Sequence, residues 1–293
     1  MTYRALYLWA RNVLQAAGLD APNRDAALLI EHFFGLDRTR LVLQGEQEAA
    51  LMAERQFRQA VWERAERRPL QYILGSWEFM GLKLAVGEGV LVPREDTETL
   101  VRTAALRATA GVPAGNPAEV KVQGLDLCAG SGAVALGLAS LLPQIELTCI
   151  ELSPAAFSYL TRNLAAYPQY AVKAEQGDIL LPQTAARFAD GSVDLLTANP
   201  PYIKTAELSG LQEEVQREPR LALDGGEDGL VFYRAICELW VRKLRPGGLL
   251  AVEIGEEQGK SVSALFHACG LQEVKVSQDW AGKDRCVCGQ VKP

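Results

Sequence analysis

Apolar positions at the start of the chain recur at helical spacing. Leu6, Trp9, Val13 and Ala17 fall three or four residues apart, which puts them on one face of a helix. A second helix follows Asp20, with Pro22 suited to its first turn and Gly35 to its end. A third is predicted from near Asp37, and a long one from about Glu46 to Arg67. No strand pattern interrupts these, so residues 1–72 read as a small all-α domain. The pattern changes over "RRPLQYILGSWEFMGLKLAVGEGVLVPRED", Arg67–Asp96. Pro69 stops the helix. The short runs "WEFMGLKLAV" and "GVLV", split by Gly81, Gly87 and Gly89, read as a β-hairpin that joins two domains across residues 73–96. Pro93 ends it, Asp96 or Thr97 caps a helix from about Glu98 to Thr109, and "GVPAGNPAE" reads as a surface loop.

From Val120 onward apolar strands alternate with amphipathic helices. "VKVQGLDLC" is followed by "GAVALGLASLL", "IELTCIE" by "PAAFSYLTRNLAAY", and then come "YAVKAEQGD", "VDLLTAN", "LVFYRAICELWVRKL", "LLAVEIG", "QGKSVSALFHAC" and two final runs, "LQEVKVSQ" and "RCVCGQVK". This alternation predicts an α/β domain over residues 97–293: a doubly wound, parallel, Rossmann-like sheet with helices on both faces. Ligands in such sheets bind outside the carboxyl ends of the strands, at the topological switch point.

Charge narrows the partners. The 293 residues include 36 acidic against 30 basic, a net charge of −6, which argues against nucleic-acid binding driven mainly by phosphate neutralisation. No apolar run reaches the roughly 18–20 residues of a membrane span, so no membrane partner is expected. The N-terminus bears Arg4 and Arg11 and no acid before Asp20, as transit peptides do. However, no serine precedes Ser76 and the helical pattern runs on, so a cytoplasmic chain without a targeting segment is expected. The six cysteines lie scattered, mostly inside apolar runs, and read as reduced, buried thiols. Cys286 and Cys288 share a strand face but lack C-x-x-C spacing, and only His32 and His267 could assist, so no metal site is expected.

Four stretches are candidates for the chemistry. The first strand of the α/β region exits into "DLCAGSG", Asp126–Gly132, where Gly130 and Gly132 allow a tight turn and a close approach of backbone to ligand. Glu151 ends the next strand, where a carboxylate can accept both hydroxyls of a ribose. The third glycine of the dinucleotide fingerprint is missing, since Ala133, Val134 and Ala135 follow; this favours S-adenosylmethionine, whose sulfonium needs no pyrophosphate cradle. In "GDIL", Asp178 is placed to meet the exocyclic amine of an adenine and Ile179 to pack on its ring, or Asp178 is an ordinary turn residue. In "TANPPYIK", Asn199 precedes two prolines, which fix φ and hold Asn199 extended. The Asn199 side-chain oxygen and the Pro200 carbonyl could each accept one N–H of a planar NH₂ group and turn its lone pair toward an electrophilic methyl. Tyr202 offers a flat surface beside them. Such catalysis is positioning and electrostatics, without a strong base. In "REPRLALDGGEDG", Glu218 and Asp224 organise the mouth, with Gly225, Gly226 and Gly229 in a flexible loop, or the stretch is a solvated loop.

"NPPY" behind "DLCAGSG" resembles the amino-methyltransferases that act on adenine, cytosine or glutamine amides. Read with "PLQYILG", "GVLVPRED", "NPPYI" and "GGEDGL", the ordered set resembles the bacterial and organellar peptide chain release factor glutamine methyltransferases over nearly the whole chain. The resemblance implies an N-terminal helical domain that grips the release factor, a hairpin linker and a seven-stranded, mostly parallel methyltransferase sheet. It implies methylation of the glutamine of the Gly-Gly-Gln tripeptide in class I release factors, with S-adenosylhomocysteine as product, by a monomer. By motif, Cys128, Ala129, Gly130, Ser131, Gly132 and Glu151 contact the cofactor, Ile179 lies by the adenine, and Asn199, Pro200, Pro201 and Tyr202 hold the glutamine. The sequence departs from the family pattern in Glu151 for aspartate, Cys128 for a frequent glycine and Glu95 for a proline. Two other readings stay open: an adenine methyltransferase acting on DNA or RNA, and a non-enzymatic adapter. The 20 basic and 27 acidic residues after residue 70 speak against the basic groove the first needs. A binding-only adapter has no physical need for the intact glycines, acid and Asn-Pro-Pro-Tyr.

Overall fold

The structure is a computed structural model and describes residues 1–108 and 122–293. The expected loop at 111–119 and the end of the helix expected to reach Thr109 lie outside the described residues. The chain forms two compact units: Met1–Ser76 with Gln212–Arg217, and Trp77–Leu211 with Glu218–Pro293.

The first unit is helical. It contains α1 (Tyr3–Ala16), α2 (Pro22–Phe34), α3 (Arg38–Gln44), α4 (Leu51–Ala65) and α5 (Leu70–Leu74). Thr2 and Asp37 cap α1 and α3 by accepting backbone N–H groups, and Gly35 closes α2 at φ 68°. Leu6, Leu14, Leu29, Ile30, Phe57 and Val61 form the core. Two expectations need correction. The long helix starts at Leu51 rather than near Glu46, because Gly45–Ala50 leaves the helix after α3. Pro69 opens α5 instead of merely stopping a helix, as its missing N–H is free at a first turn. Arg64 donates to Asp25 (2.7 Å) and to Glu214 (3.1 Å), which holds the short helix Glu213–Gln216 (α10 in chain order) in this unit.

The second unit begins with a hairpin of β1 (Ser76–Phe79) and β2 (Leu82–Ala85), Ser76 itself belonging to the first unit. Met80 and Gly81 both have positive φ (51° and 77°), as the tightest hairpin turns require. "GVLV" is not a strand: Val90 and Val92 are buried in an irregular segment that follows the hairpin. A 3₁₀ turn, Glu95–Thr97, then leads into α6 (Glu98–Ala108) without a side-chain cap, in place of the cap expected from Asp96 or Thr97.

The remaining elements are β3 (Val122–Leu127), α7 (Ala133–Leu141), β4 (Ile145–Glu151), α8 (Pro154–Ala166), β5 (Ala171–Gln176), α9 (Pro182–Ala185), β6 (Val193–Ala198), α11 (Val231–Ala235), β7 (Leu244–Glu253), α12 (Gly259–Ala268), β8 (Gln272–Gln278) and β9 (Asp284–Gln290). Seven strands form one sheet in the order β5-β4-β3-β6-β7-β9-β8. All neighbours run parallel except β9, which is antiparallel to both β7 and β8. Helices cover both faces, as the doubly wound reading requires: Leu100, Ala104, Leu136 and Leu138 pack in one core, and Ile236, Trp240, Val262 and Phe266 in the other. The helix expected over "LVFYRAICELWVRKL" is α-helical only to Ala235; a π turn (Ile236–Trp240) and a 3₁₀ turn (Val241–Lys243) complete it. The switch point lies between β3 and β6, where pairing Leu127 with Ala198 brings Cys128 and Asn199 to one edge. Pairing Leu127 with Ile150, and Ala198 with Val252, brings Glu151 and Glu253 to the same level.

Candidate active site

A cavity of about 270 Å³ opens at that edge, inside the second unit. Its wall includes Cys128, Ala129, Gly130, Ser131 and Glu151 on one side, Asp178 and Ile179 on another, and Asn199 and Pro201 at the sheet's far end. The sequence-predicted residues therefore meet in one cavity, with three exceptions. Gly132 caps α7 at φ 84°, where a Cβ would stand 2.8 Å from Leu160, so its task is packing. Pro200 is buried and does not contribute to the lining. Tyr202 also lies outside the lining: its ring is mostly buried, its hydroxyl donates to Glu253 Oε1 (3.4 Å), and burial, then Glu253, push its pKa up.

The glycine loop is shaped around Glu151. Oε2 accepts from the Gly130 N–H (2.8 Å) and Oε1 from the Ser153 N–H (2.7 Å), so the carboxylate is fixed facing the cavity. Burial raises its pKa, and the backbone donors oppose this. Cys128 sits at φ 57°, a left-handed conformation, which accounts for glycine being common there in the resembled family. Beneath the loop Asp126 is buried. Its Oδ1 accepts from Thr197 (2.8 Å) and its Oδ2 has no hydrogen-bond partner among the described residues; desolvation chiefly, then Glu151, lift it to about 7. Two carboxyl groups held against desolvation suit a ligand that brings positive charge. The apolar stretch of Ile150, Leu152, Ala156, Ile179 and Leu180 suits a nucleobase. Trp240, in the π turn, donates to the Ile179 carbonyl (2.9 Å) and locks that wall. Asp178 accepts from the Leu180 N–H (2.8 Å), which keeps its turn role alongside its place in the wall.

Asn199 donates through Nδ2 to Thr97 Oγ1 (3.3 Å). Its nitrogen is thereby turned into the protein, leaving Oδ1 as the acceptor toward the cavity. The loop after it is clasped by the "GGEDG" stretch. Ile203 bridges in parallel to Asp224, the Ile203 N–H donates to Leu223 O (3.0 Å), and Gly225 N–H returns a bond to Ile203 O (2.8 Å). A Cβ at Gly225 would stand 2.8 Å from Tyr202 Cα, and one at Gly229 2.5 Å from Tyr202 O. Gln258 completes the clasp by donating to Tyr202 O (3.0 Å) and Gly229 O (3.2 Å). These glycines therefore serve close backbone approach rather than flexibility. Glu218, only 5% exposed, accepts from the Val92 N–H (3.0 Å) and pairs with Arg94, so it holds two further wall segments together.

Sequence reasoning missed Thr97 and Glu253 as site residues, along with Gln258. None belongs to a chemical motif, and only the register across β6 and β7 and the turn before α6 bring them to Asn199.

Two family models match the chain: one described as PrmC N-terminal domain over residues 5–75, and one described as Methyltransferase domain over residues 125–218. The chain is 41% identical over 288 residues to a release factor glutamine methyltransferase of Moorella thermoacetica, covering 98% of this chain and 97% of that protein. It is 38% identical over 291 residues to one of Geobacter sulfurreducens, covering 99% and 97%. A solved protein-(glutamine-N5) methyltransferase (release factor-specific) of Alicyclobacillus acidocaldarius is similar over 71% of this chain and 99% of that one, at 24% identity and a TM-score of 0.41. With such identity over nearly the full length of both chains, this chain belongs to the release factor glutamine methyltransferase family.

Proposed function

We propose that this chain transfers a methyl group from S-adenosylmethionine to the side-chain amide nitrogen of the glutamine in the Gly-Gly-Gln tripeptide of class I release factors. S-adenosylhomocysteine is left behind, and the enzyme acts as a cytoplasmic monomer with no stable nucleic-acid partner. The anchoring of Asn199 Nδ2 on Thr97 carries the reading, because it leaves an acceptor where a carboxamide NH₂ has donors to offer. When bound, the cofactor supplies an electrophilic methyl on a positively charged sulfur. Glu151, fixed by Gly130 and Ser153, would take the ribose hydroxyls, and the Ile179 wall the adenine. Asn199 Oδ1 would accept one amide N–H, which counters delocalisation of the nitrogen lone pair and aims it at the methyl; the Pro200 carbonyl, expected as the second acceptor, lies outside the cavity's lining. Tyr202, pinned by Glu253 and Gln258, keeps the Pro200–Pro201 backbone from yielding. The helical unit is the proposed grip on the release factor.

The adenine-methylating and adapter readings lose ground to the family membership. Among the described residues no helix is long and apolar enough to cross a membrane. The test is incubation with isotopically labelled cofactor and either a class I release factor or duplex oligonucleotides, followed by peptide mass spectrometry. The expected result is one methyl on the tripeptide glutamine. Methyl on adenine, or on neither substrate, would overturn the proposal.

A further inference from the structure

β9 pairs Cys286 with Glu253 of β7, and β8 pairs Ser277 with Cys286, so these three residues stand at the level of Asn199. The turn between β8 and β9 therefore projects past that level, on the edge of the sheet where the cavity opens. Trp280 stands in this turn, 89% exposed. One exposed apolar side chain on a loose loop is ordinary. This turn, however, is built to hold still. Asp279, 8% exposed, accepts through Oδ1 from the N–H groups of Ala281 (2.9 Å) and Lys283 (3.0 Å), and through Oδ2 from Arg285 (3.2 Å). Its own N–H donates to Lys283 O (2.9 Å), and its carbonyl accepts from the Gly282 N–H (3.0 Å), with Gly282 at φ 78°. Arg285 then ties the turn to Ile254 O (3.4 Å) and to Asp96 (3.4 Å). Thr97, the residue after Asp96, lines the cavity, so one bonded network carries both Trp280 and the cavity wall.

The charges of the turn are matched among themselves. Asp279 meets Arg285, Lys283 meets Glu256 (2.5 Å), and Asp284 accepts from Gln278 (3.1 Å). What the turn offers to solvent is the indole, which suits an apolar side chain rather than a phosphate or a carboxylate. In the strand order β6-β7-β9-β8 the turn stands two to three strand spacings from β6, roughly 10–14 Å at about 4.8 Å each. An extended chain covers that distance in about three or four residues. We propose that Trp280 is a docking anchor for the release factor, taking an apolar side chain about three to five residues from the glutamine held at Asn199. This rests on the reading of Asn199 as the glutamine site. An aromatic ring on a turn already fixed gives up little freedom on binding, so its buried area goes into affinity. Trp280 then acts on capture of the substrate and leaves the methyl transfer alone.

The test uses the full chain with three substrates: a class I release factor, a tryptophan-free peptide with six of the factor's residues on each side of Gly-Gly-Gln, and a peptide with one residue on each side. Trp280→Ala should raise KM for the factor and the long peptide about 10-fold, the scale of an interface anchor, with kcat within about 2-fold. KM for the short peptide, which cannot reach the turn, should stay within about 2-fold. Trp280→Phe should recover KM to within about 3-fold, and the urea midpoint and the dissociation constant of S-adenosylhomocysteine should match the parent in both variants. A second readout does not depend on turnover. The emission lost in Trp280→Phe reports Trp280, and its quenching by iodide should fall at least about 3-fold when the long peptide binds. An unchanged KM for the factor, an equal rise for both peptides, or quenching that the long peptide leaves unaltered would overturn the anchor while the substrate reading stands. So would a parent chain that self-associates through Trp280, shown by sedimentation of parent and Trp280→Ala, with KM unmoved. A parent chain that methylates neither the factor nor the peptides would overturn the substrate reading and the anchor with it.

Discussion

Asn199 and Glu151 divide the labour at the edge of the sheet, and each predicts its own kinetic signature. Asn199 lines the cavity outside the glycine loop, so on the proposed reading Asn199→Ala should cut kcat at least about 10²-fold with cofactor affinity within about 3-fold. Steady-state kinetics beside calorimetric titration of S-adenosylhomocysteine would separate the two. Glu151 is held in the cavity wall by the backbone of Gly130 and Ser153, where the proposed reading puts the cofactor. Glu151→Gln should weaken cofactor binding by about 10- to 100-fold, the scale of a charge-assisted hydrogen bond, with turnover near normal at saturation. Both residues were legible in the sequence because each carries a local signal: two prolines after Asn199, and a strand end after a glycine loop for Glu151. Thr97 and Glu253 carry no such signal. A threonine at a helix start reads as a cap and a glutamate at a strand end as a surface charge; the turn before α6 buries the first and the β6–β7 register the second.

At the scale of elements, the clasp over Tyr202 matters as much as the motif it holds. Gly229 has φ 73° and no room for a Cβ beside Tyr202 O, so Gly229→Ala should destabilise the fold by about 1–3 kcal/mol and lower turnover together. Urea denaturation with assays on the same preparation checks this; an unchanged midpoint would contradict the close-approach account. Alternation of strands and helices was enough to place the parallel sheet, because a strand buried on both faces and a covering helix leave different periods. It could not reveal that β9 inserts antiparallel between β7 and β8. A two-residue period is the same in either direction, and β9 is buried almost throughout. Nor could it show the π turn at Ile236–Trp240, which aims the Trp240 N–H at Ile179.

Across the whole molecule, the buried carboxyls give stability a sign with pH. Burial holds Asp126 and Glu253 at about 7 in the folded chain, while the unfolded chain loses these protons near 4. Between those limits the folded state binds more protons, so these two groups make stability fall as pH rises from about 4.5 to 7. Asp126→Asn should flatten the decline of the urea midpoint over that range, and an unaltered slope would show that Asp126 is not held protonated. The same buried acids explain why overall composition said little about the site, since their effect depends on where the sheet puts them rather than on net charge. The most direct measurement is a crystal structure of the chain with S-adenosylhomocysteine and a Gly-Gly-Gln segment. The account predicts the glutamine nitrogen about 3 Å from Asn199 Oδ1, with Asn199 Nδ2 still on Thr97. A glutamine nitrogen remote from that corner, or an Asn199 amide turned the other way, would contradict it.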